Sequence, residues 1–209
     1  MDGLNLTENH QSIAFVSEQI KNQKIGVVPT DTLFALTGDA RSEEVAMRIF
    51  NVKKRMPEKS FPIFVPSLDW LLKNANLKYL NLKMFLKLAY TFWPGPLTVV
   101  SRLTFNFNLS EKILHDDFIA IRIVSHPVIM KIFEEVNFPI IGTSANISGK
   151  INPLTFDEID KDVLENVDFC SVGELIYYAP STVLKLDKGF EILREGVIKE
   201  SLLKKVLEN

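Results

Sequence analysis

Short apolar runs alternate with amphipathic stretches along the whole 209-residue chain, and that alternation leaves few architectures open besides an α/β domain. Strand-like runs recur at residues 25–28, 62–65, 97–101, 119–123, 140–143, 169–172, 182–186 and 191–194. Between them lie stretches with helical spacing. Ile13, Val16 and Ile20 make one stripe; Val45, Ile49 and Val52 make another, behind Ser42 as a cap. Helices are also expected at 68–72, 80–92 and 202–207. Pro127 opens one carrying Val128, Ile132 and Val136, and the capping-box pair Thr155 and Glu158 opens another. The expected fold is a twisted, mixed sheet flanked by helices, in one domain over residues 1–209, a length that suits a single domain.

Composition narrows the function classes. Hydrophobic residues make up 46%, enough for a sizeable core, and 24 Lys and Arg stand against 26 Asp and Glu. A net charge of -2 argues against a general polyanion-binding surface, so any basic site must be local. Cys170, the single cysteine, cannot form an intramolecular disulfide and is expected in a buried strand. His10, His115 and His126 have no spacing that suggests a zinc cage, so no protein-held metal is expected. The first ten residues lack the apolar core of a signal peptide, and no apolar run approaches the ~20 residues that cross a bilayer. The expected setting is the cytoplasm, away from membranes.

Chemistry should gather where strand-like runs and helices end in polar turns. Lys53, Lys54, Arg55 and Lys59 place four cations near the end of one expected helix. A solvated helix end accounts for them alone, since cations there complement the helix dipole. Residues 142–149, Gly-Thr-Ser-Ala-Asn-Ile-Ser-Gly, follow a strand-like run with small hydroxyl and amide side chains. Such a loop lets backbone N–H groups approach phosphate oxygens, although an ordinary Ser/Asn/Gly turn has the same composition. Together the two segments suggest a polyanionic small ligand such as a nucleoside triphosphate. Arg122 interrupts an apolar run and Arg194 ends another; a charge so placed either faces solvent from the strand or needs a partner or a ligand, and guanidinium suits carboxylate or phosphate. Neither a P-loop nor a Gly-rich dinucleotide fingerprint is present, and no Ser-His-Asp or Cys-His arrangement points to covalent catalysis.

Taken in order, these segments resemble the YrdC/TsaC family of threonylcarbamoyl-AMP synthases, over roughly residues 13–203. The most specific pieces are a K-x-R motif, Lys53-Lys54-Arg55, and an S-x-N motif, Ser144-Ala145-Asn146. Pro29-Thr30-Asp31-Thr32, Trp93-Pro94-Gly95-Pro96-Leu97-Thr98, Ala120-Ile121-Arg122-Ile123, Pro180-Ser181-Thr182-Val183 and Ile192-Leu193-Arg194-Glu195-Gly196 complete the pattern. The resemblance implies a sheet around a basic concave cavity and a nucleotidyl transfer. In that reaction L-threonine, bicarbonate and ATP, with Mg²⁺, give threonylcarbamoyl-AMP and pyrophosphate. The product then goes to a separate tRNA-modifying transferase complex, and bare tRNA is expected to bind only weakly.

By the same resemblance, Thr32, Arg122, Gly142 and Ser181 form the threonine pocket, with Arg122 on the carboxylate. Lys53, Arg55 and Lys59 face the ATP phosphates, Ser144 and Asn146 sit near the α-phosphate, and Asn152 and Arg194 complete the nucleotide site. Lys53, Arg55, Ser144 and Asn146 are the implied catalytic set. The chain departs from the family pattern at Phe34-Ala35, where Tyr-Gly is usual, at Met56 in place of a proline, and at Phe64, where some relatives carry histidine. Two rivals follow. One is a non-catalytic double-stranded RNA or tRNA-binding module of the same fold, which the net charge disfavours. The other is a carbamoyl-adenylate enzyme of hydrogenase maturation, which usually adds zinc-finger cysteines that this sequence lacks.

Overall fold

The computed structural model describes residues 4–5, 10–55 and 60–208. Its strands are β1 (Leu4–Asn5), β2 (Gly26–Val28), β3 (Ala35–Thr37), β4 (Ile63–Phe64), β5 (Ala75–Asn76), β6 (Leu97–Arg102), β7 (Thr104–Phe105), β8 (Phe118–Arg122), β9 (Ile140–Ile141), β10 (Thr143–Ser144), β11 (Phe169–Val172), β12 (Thr182–Leu186) and β13 (Phe190–Arg194). Its helices are α1 (His10–Lys21), α2 (Glu43–Lys53), α3 (Leu68–Asn74), α4 (Leu82–Phe92), α5 (Pro127–Glu135), α6 (Lys161–Leu164) and α7 (Glu200–Glu208).

The strands build a five-stranded sheet, ordered β1-β11-β2-β3-β10, and a six-stranded sheet, ordered β13-β12-β6-β8-β4-β9. Both mix parallel and antiparallel neighbours, as expected from sequence. A small pair, β5-β7, stands apart. One core packs α2 and α4 against both sheets; a second packs α1 and α5 around Val28, Phe64, Ile140 and Phe169. No helix among the described residues is long and apolar enough to cross a membrane.

Local chemistry explains the elements that carry the site. The Ser42 hydroxyl accepts the N–H of Val45 at 3.3 Å and starts α2, with Glu43 and Glu44 in its first turn where they favour the dipole. The inward stripe Val45, Ile49 continues one turn further to Lys53, which is 1% exposed. Lys54 then stops the helix in the left-handed region at φ 47°. Pro127 occupies the first turn of α5, whose buried face is Val128, Ile129, Ile132 and Phe133.

Three expectations need correction. The run at 140–143 is not one strand: β9 pairs with β4 in one sheet and β10 with β3 in the other, with Gly142 between. The capping-box pair opens only a 3₁₀ turn, Phe156–Glu158, in which Glu158 Oε2 accepts the Leu154 and Thr155 N–H groups. And β3, which pairs with both β2 and β10, is a strand where none is expected, as are the short β1, β5 and β7.

Candidate active site

The turn after β2 is locked by one side chain. Thr30 Oγ1 accepts the N–H groups of Thr32 and Leu33, both at 3.1 Å, and donates to Leu33 O at 2.6 Å. Residues 30–33 therefore hold a fixed shape, and Thr32 Oγ1 is presented to Arg122 Nη1 at 2.7 Å.

Arg122 ends β8 with its side chain 4% exposed, and every bond it makes is directed. Nε donates to Gly95 O at 3.0 Å, Nη1 to Thr32, and Nη2 to Asp31 Oδ1 at 2.5 Å. Gly95 is itself fixed by its N–H to Ile123 O at 2.8 Å, so the Trp93-Pro94-Gly95-Pro96 turn serves as a backstop for the guanidinium. Burial pushes the Arg122 pKa down, and Asp31 opposes the shift. The Phe64 ring lies 5.8 Å from the guanidinium carbon. A Cβ at Gly142 would come within 2.3 Å of that ring, so only glycine lets β9 and β10 pass Phe64 this closely.

The 143–149 loop is tied down from below. Lys53 lies beneath it, and Nζ donates to Asn146 O at 2.8 Å, to Asn146 Oδ1 at 3.3 Å and, by a short bond, to Ser144 O. These three acceptors match the three donors of an ammonium. Burial, and then the charge of Arg55, push the Lys53 pKa down to about 7. The Lys53 carbonyl returns the tie by accepting Ser148 N–H at 2.8 Å. Above it, Ser144 Oγ donates to Asn146 Oδ1 at 2.6 Å and Asn146 Nδ2 donates to Lys150 O at 2.6 Å. Gly149 closes the loop at φ +86°.

The view of the basic run as a solvated helix end thus fails for Lys53 and holds for Lys54, which reaches the exposed Asp162 at 2.8 Å. Arg55 lies over the Phe61 ring and donates to Ser60 O at 2.9 Å. Lys59 and Met56 fall outside the described residues. At the far wall Arg194 donates to Ser181 O at 2.8 Å, and Ser181 Oγ lies 2.9 Å from Thr98 Oγ1.

A cavity of about 190 Å³ joins these parts. Of the residues expected from sequence, it is lined by Thr32, Arg55, Arg122, Gly142, Ser144, Asn152, Ser181 and Arg194. Lys53 and Asn146 sit behind this lining as supports. Leu33, Phe34, Ala35, Phe64, Ala120 and Val183 supply an apolar wall. Phe34 is 1% exposed and meets Phe156 edge-on, which fixes its ring within that wall. Thr98 lines the cavity too, whereas Asp31 and its partner Ser125 stand outside the lining; neither is an expected site residue, and the one signal in the sequence is an acid in the middle of the turn after β2.

The Sua5/YciO/YrdC family model, described as "telomere recombination", matches residues 18–196. A Methanocaldococcus jannaschii protein provisionally named threonylcarbamoyl-AMP synthase is 36% identical, over 93% of this chain and 90% of its own. Pyrococcus abyssi threonylcarbamoyl-AMP synthase is 30% identical over 90% of this chain and 55% of its own. The structure of P. abyssi Sua5 complexed with L-threonine superposes with a TM-score of 0.87 at 28% identity; it covers 98% of this chain, which spans 60% of that one. Escherichia coli YciO, at 22% identity and a TM-score of 0.79, shares the fold.

Proposed function

The chain belongs to the Sua5/YciO/YrdC family, and we propose that it is an L-threonylcarbamoyladenylate synthase, a nucleotidyltransferase that makes threonylcarbamoyl-AMP, pyrophosphate and water from L-threonine, bicarbonate and ATP. The observation that carries this reading is the state of Arg122. Among the described residues three of its five N–H donors are spent on Gly95, Thr32 and Asp31, and two are left in a side chain that lines the cavity, the number a carboxylate takes in a bidentate pair. Relatives of 30% identity or more that are named for this activity add support, as does the P. abyssi Sua5 structure, at 28% identity, solved with L-threonine.

In this reading threonine sits with its carboxylate on Arg122, near Thr32, Gly142 and Ser181, and its side chain toward the apolar wall. Its amine and bicarbonate combine with loss of water to N-carboxythreonine, whose new carboxylate attacks the α-phosphorus of ATP and displaces pyrophosphate. The α-phosphate would be held by the Ser144–Asn146 loop, and Arg55, Asn152 and Arg194 would take the rest of the nucleotide, a role the sequence pattern also gives Lys59. Lys53 acts by holding the loop. Positioning and fixed charge supply most of the catalysis in such transfers, which suits a site without a nucleophile.

Mg²⁺ enters as part of the substrate, MgATP. Its oxygen ligands would come from the triphosphate and water, with the cations facing the cavity sharing the neutralisation of the phosphate charge. The product would pass to a tRNA-modifying transferase complex in the cytoplasm. Pyrophosphate release from ATP tests the reading: it should require both threonine and bicarbonate, and valine should fail to replace threonine. Release indifferent to threonine, with tRNA bound tightly at physiological salt, would move the assignment to an RNA-binding module.

A further inference from the structure

Asp31 is fully buried, does not line the cavity, and is engaged by the protein at every acceptor. Oδ1 takes Arg122 Nη2; Oδ2 takes the Ser125 hydroxyl at 2.8 Å and the Ser125 N–H at 3.3 Å. Its main-chain oxygen accepts the N–H groups of Ile176 and Tyr177, at 3.2 and 2.8 Å. Arg122, by contrast, lines the cavity, so Asp31 stands behind it as a ligand would meet the pair. A ligand can reach the guanidinium donors and cannot reach the carboxylate that balances them. Arg194 is close enough to Arg122 to oppose its charge. Without Asp31, two cations would face the same small space.

We propose that Asp31 makes this end of the cavity select a zwitterionic amino acid over a free anion, by cancelling the charge of Arg122 without occupying its two outward donors. An amino acid brings its own ammonium with its carboxylate, so its binding adds no net charge to the buried pair. A phosphate, pyrophosphate or bicarbonate ion adds an anion beside a carboxylate that is already there, and in a poorly solvated site that repulsion is weakly screened. Selection here works by making the wrong ligand unfavourable. The wrong ligands are the other participants in the proposed reaction. A polyphosphate seated on Arg122 would block threonine, so Asp31 keeps the two substrates at their own ends.

Asp31 touches neither substrate in this scheme and is a positioning residue acting through Arg122. The proposal rests on the reading of Arg122 as the carboxylate site. The test uses purified full-length protein, with inorganic phosphate as the competing anion displacing L-threonine. The readout is the ratio of phosphate Ki to threonine Kd. Asp31→Asn should lower that ratio about tenfold or more, mainly through tighter phosphate, and phosphate should raise its melting temperature more than it raises that of the wild type. Ser125→Ala, which removes one bond to Asp31 and keeps its charge, should leave the ratio within about twofold.

An unchanged ratio in Asp31→Asn overturns the proposal, and so does an equal fall in Ser125→Ala, which would mean loop packing and not charge. An Asp31→Asn protein that unfolds and is not rescued by phosphate also counts against it, because an uncompensated buried guanidinium should recruit the anion. L-Threoninol, which lacks the carboxylate, separates this from the underlying reading. If the wild type binds threoninol as tightly as threonine, the assignment of Arg122 fails whatever Asp31 does. If the wild type discriminates and Asp31→Asn keeps its phosphate ratio, only the role of Asp31 fails.

Discussion

Lys53 is the position at which burial and function can be pulled apart. Lys53→Ala removes most of a buried stem from the inner face of α2 and leaves the carbonyls of Ser144 and Asn146 without their donor. Large-to-small changes at such sites cost about 2–5 kcal/mol, and each orphaned acceptor about 1–3 kcal/mol. The ammonium's own burial cost, visible in its fall from 10.5 to about 7, works in the opposite direction. We place the net loss at about 2–4 kcal/mol, which in a chain of this size lowers the melting temperature by roughly 5–15 °C. Lys53→Met keeps the stem volume and should melt within about 5 °C of wild type. Its turnover should still fall by about 100-fold, because a loop misplaced by an ångström is enough for a loss of that size. Differential scanning fluorimetry and threonine-dependent pyrophosphate release, run on both variants, give the four values needed. A Lys53→Ala protein that melts within about 2 °C of wild type would falsify the packing argument. Near-normal turnover in Lys53→Met would mean that the ammonium does not hold the loop.

Gly142→Ala should drive a methyl group into the Phe64 ring and abolish threonine turnover, while the double change with Phe64→Ala should recover part of it; no recovery refutes the contact. The lowered Lys53 pKa also sets a pH dependence. Between about 7 and 10.5 the unfolded chain holds a proton that the native state has released, so stability should rise with pH across that window and be flat below it. Urea unfolding at pH 6.5, 8 and 9.5 should show wild type gaining on Lys53→Met by about 1 kcal/mol per pH unit, and parallel curves would exclude the shift. ATP should raise the melting temperature by mass action, whereas bare tRNA should lose its binding by physiological salt; the reverse pattern would favour RNA binding.

Periodicity made most of the elements legible, because an α/β chain writes its buried faces into its apolar spacing. β8, β12 and α5 lie within a residue or two of where their patterns put them. Elements whose definition is tertiary were not readable. Nothing local distinguishes Ile140–Ile141 from Thr143–Ser144 as members of different sheets; the partners that divide them, Phe64 and Ala35, are far away in sequence. Lys53 and Lys54 look alike in a basic run, yet one is buried and one is exposed. The only hint was that Lys53 extends the spacing of Val45 and Ile49, and a charged residue masks such a hint. Asp31 was passed over for a similar reason. A lone acid in a polar turn acquires meaning only when Arg122, ninety-one residues on, closes against it.

The chain's change of sheet at Gly142 has a consequence for how the molecule tolerates alteration. β9 belongs to the sheet whose strand β8 ends at Arg122, β10 to the sheet that carries the turn after β2, and a single glycine separates them. Sliding one sheet past the other cannot open a gap between them there without tearing main-chain pairing on one side or the other. The interval between the two halves of the cavity is therefore gauged by five consecutive residues, Ile140 to Ser144, as a caliper is gauged by its bar. One residue added inside this interval forces either β9 or β10 out of register with its own sheet and so changes the spacing between Ser144 and Arg122.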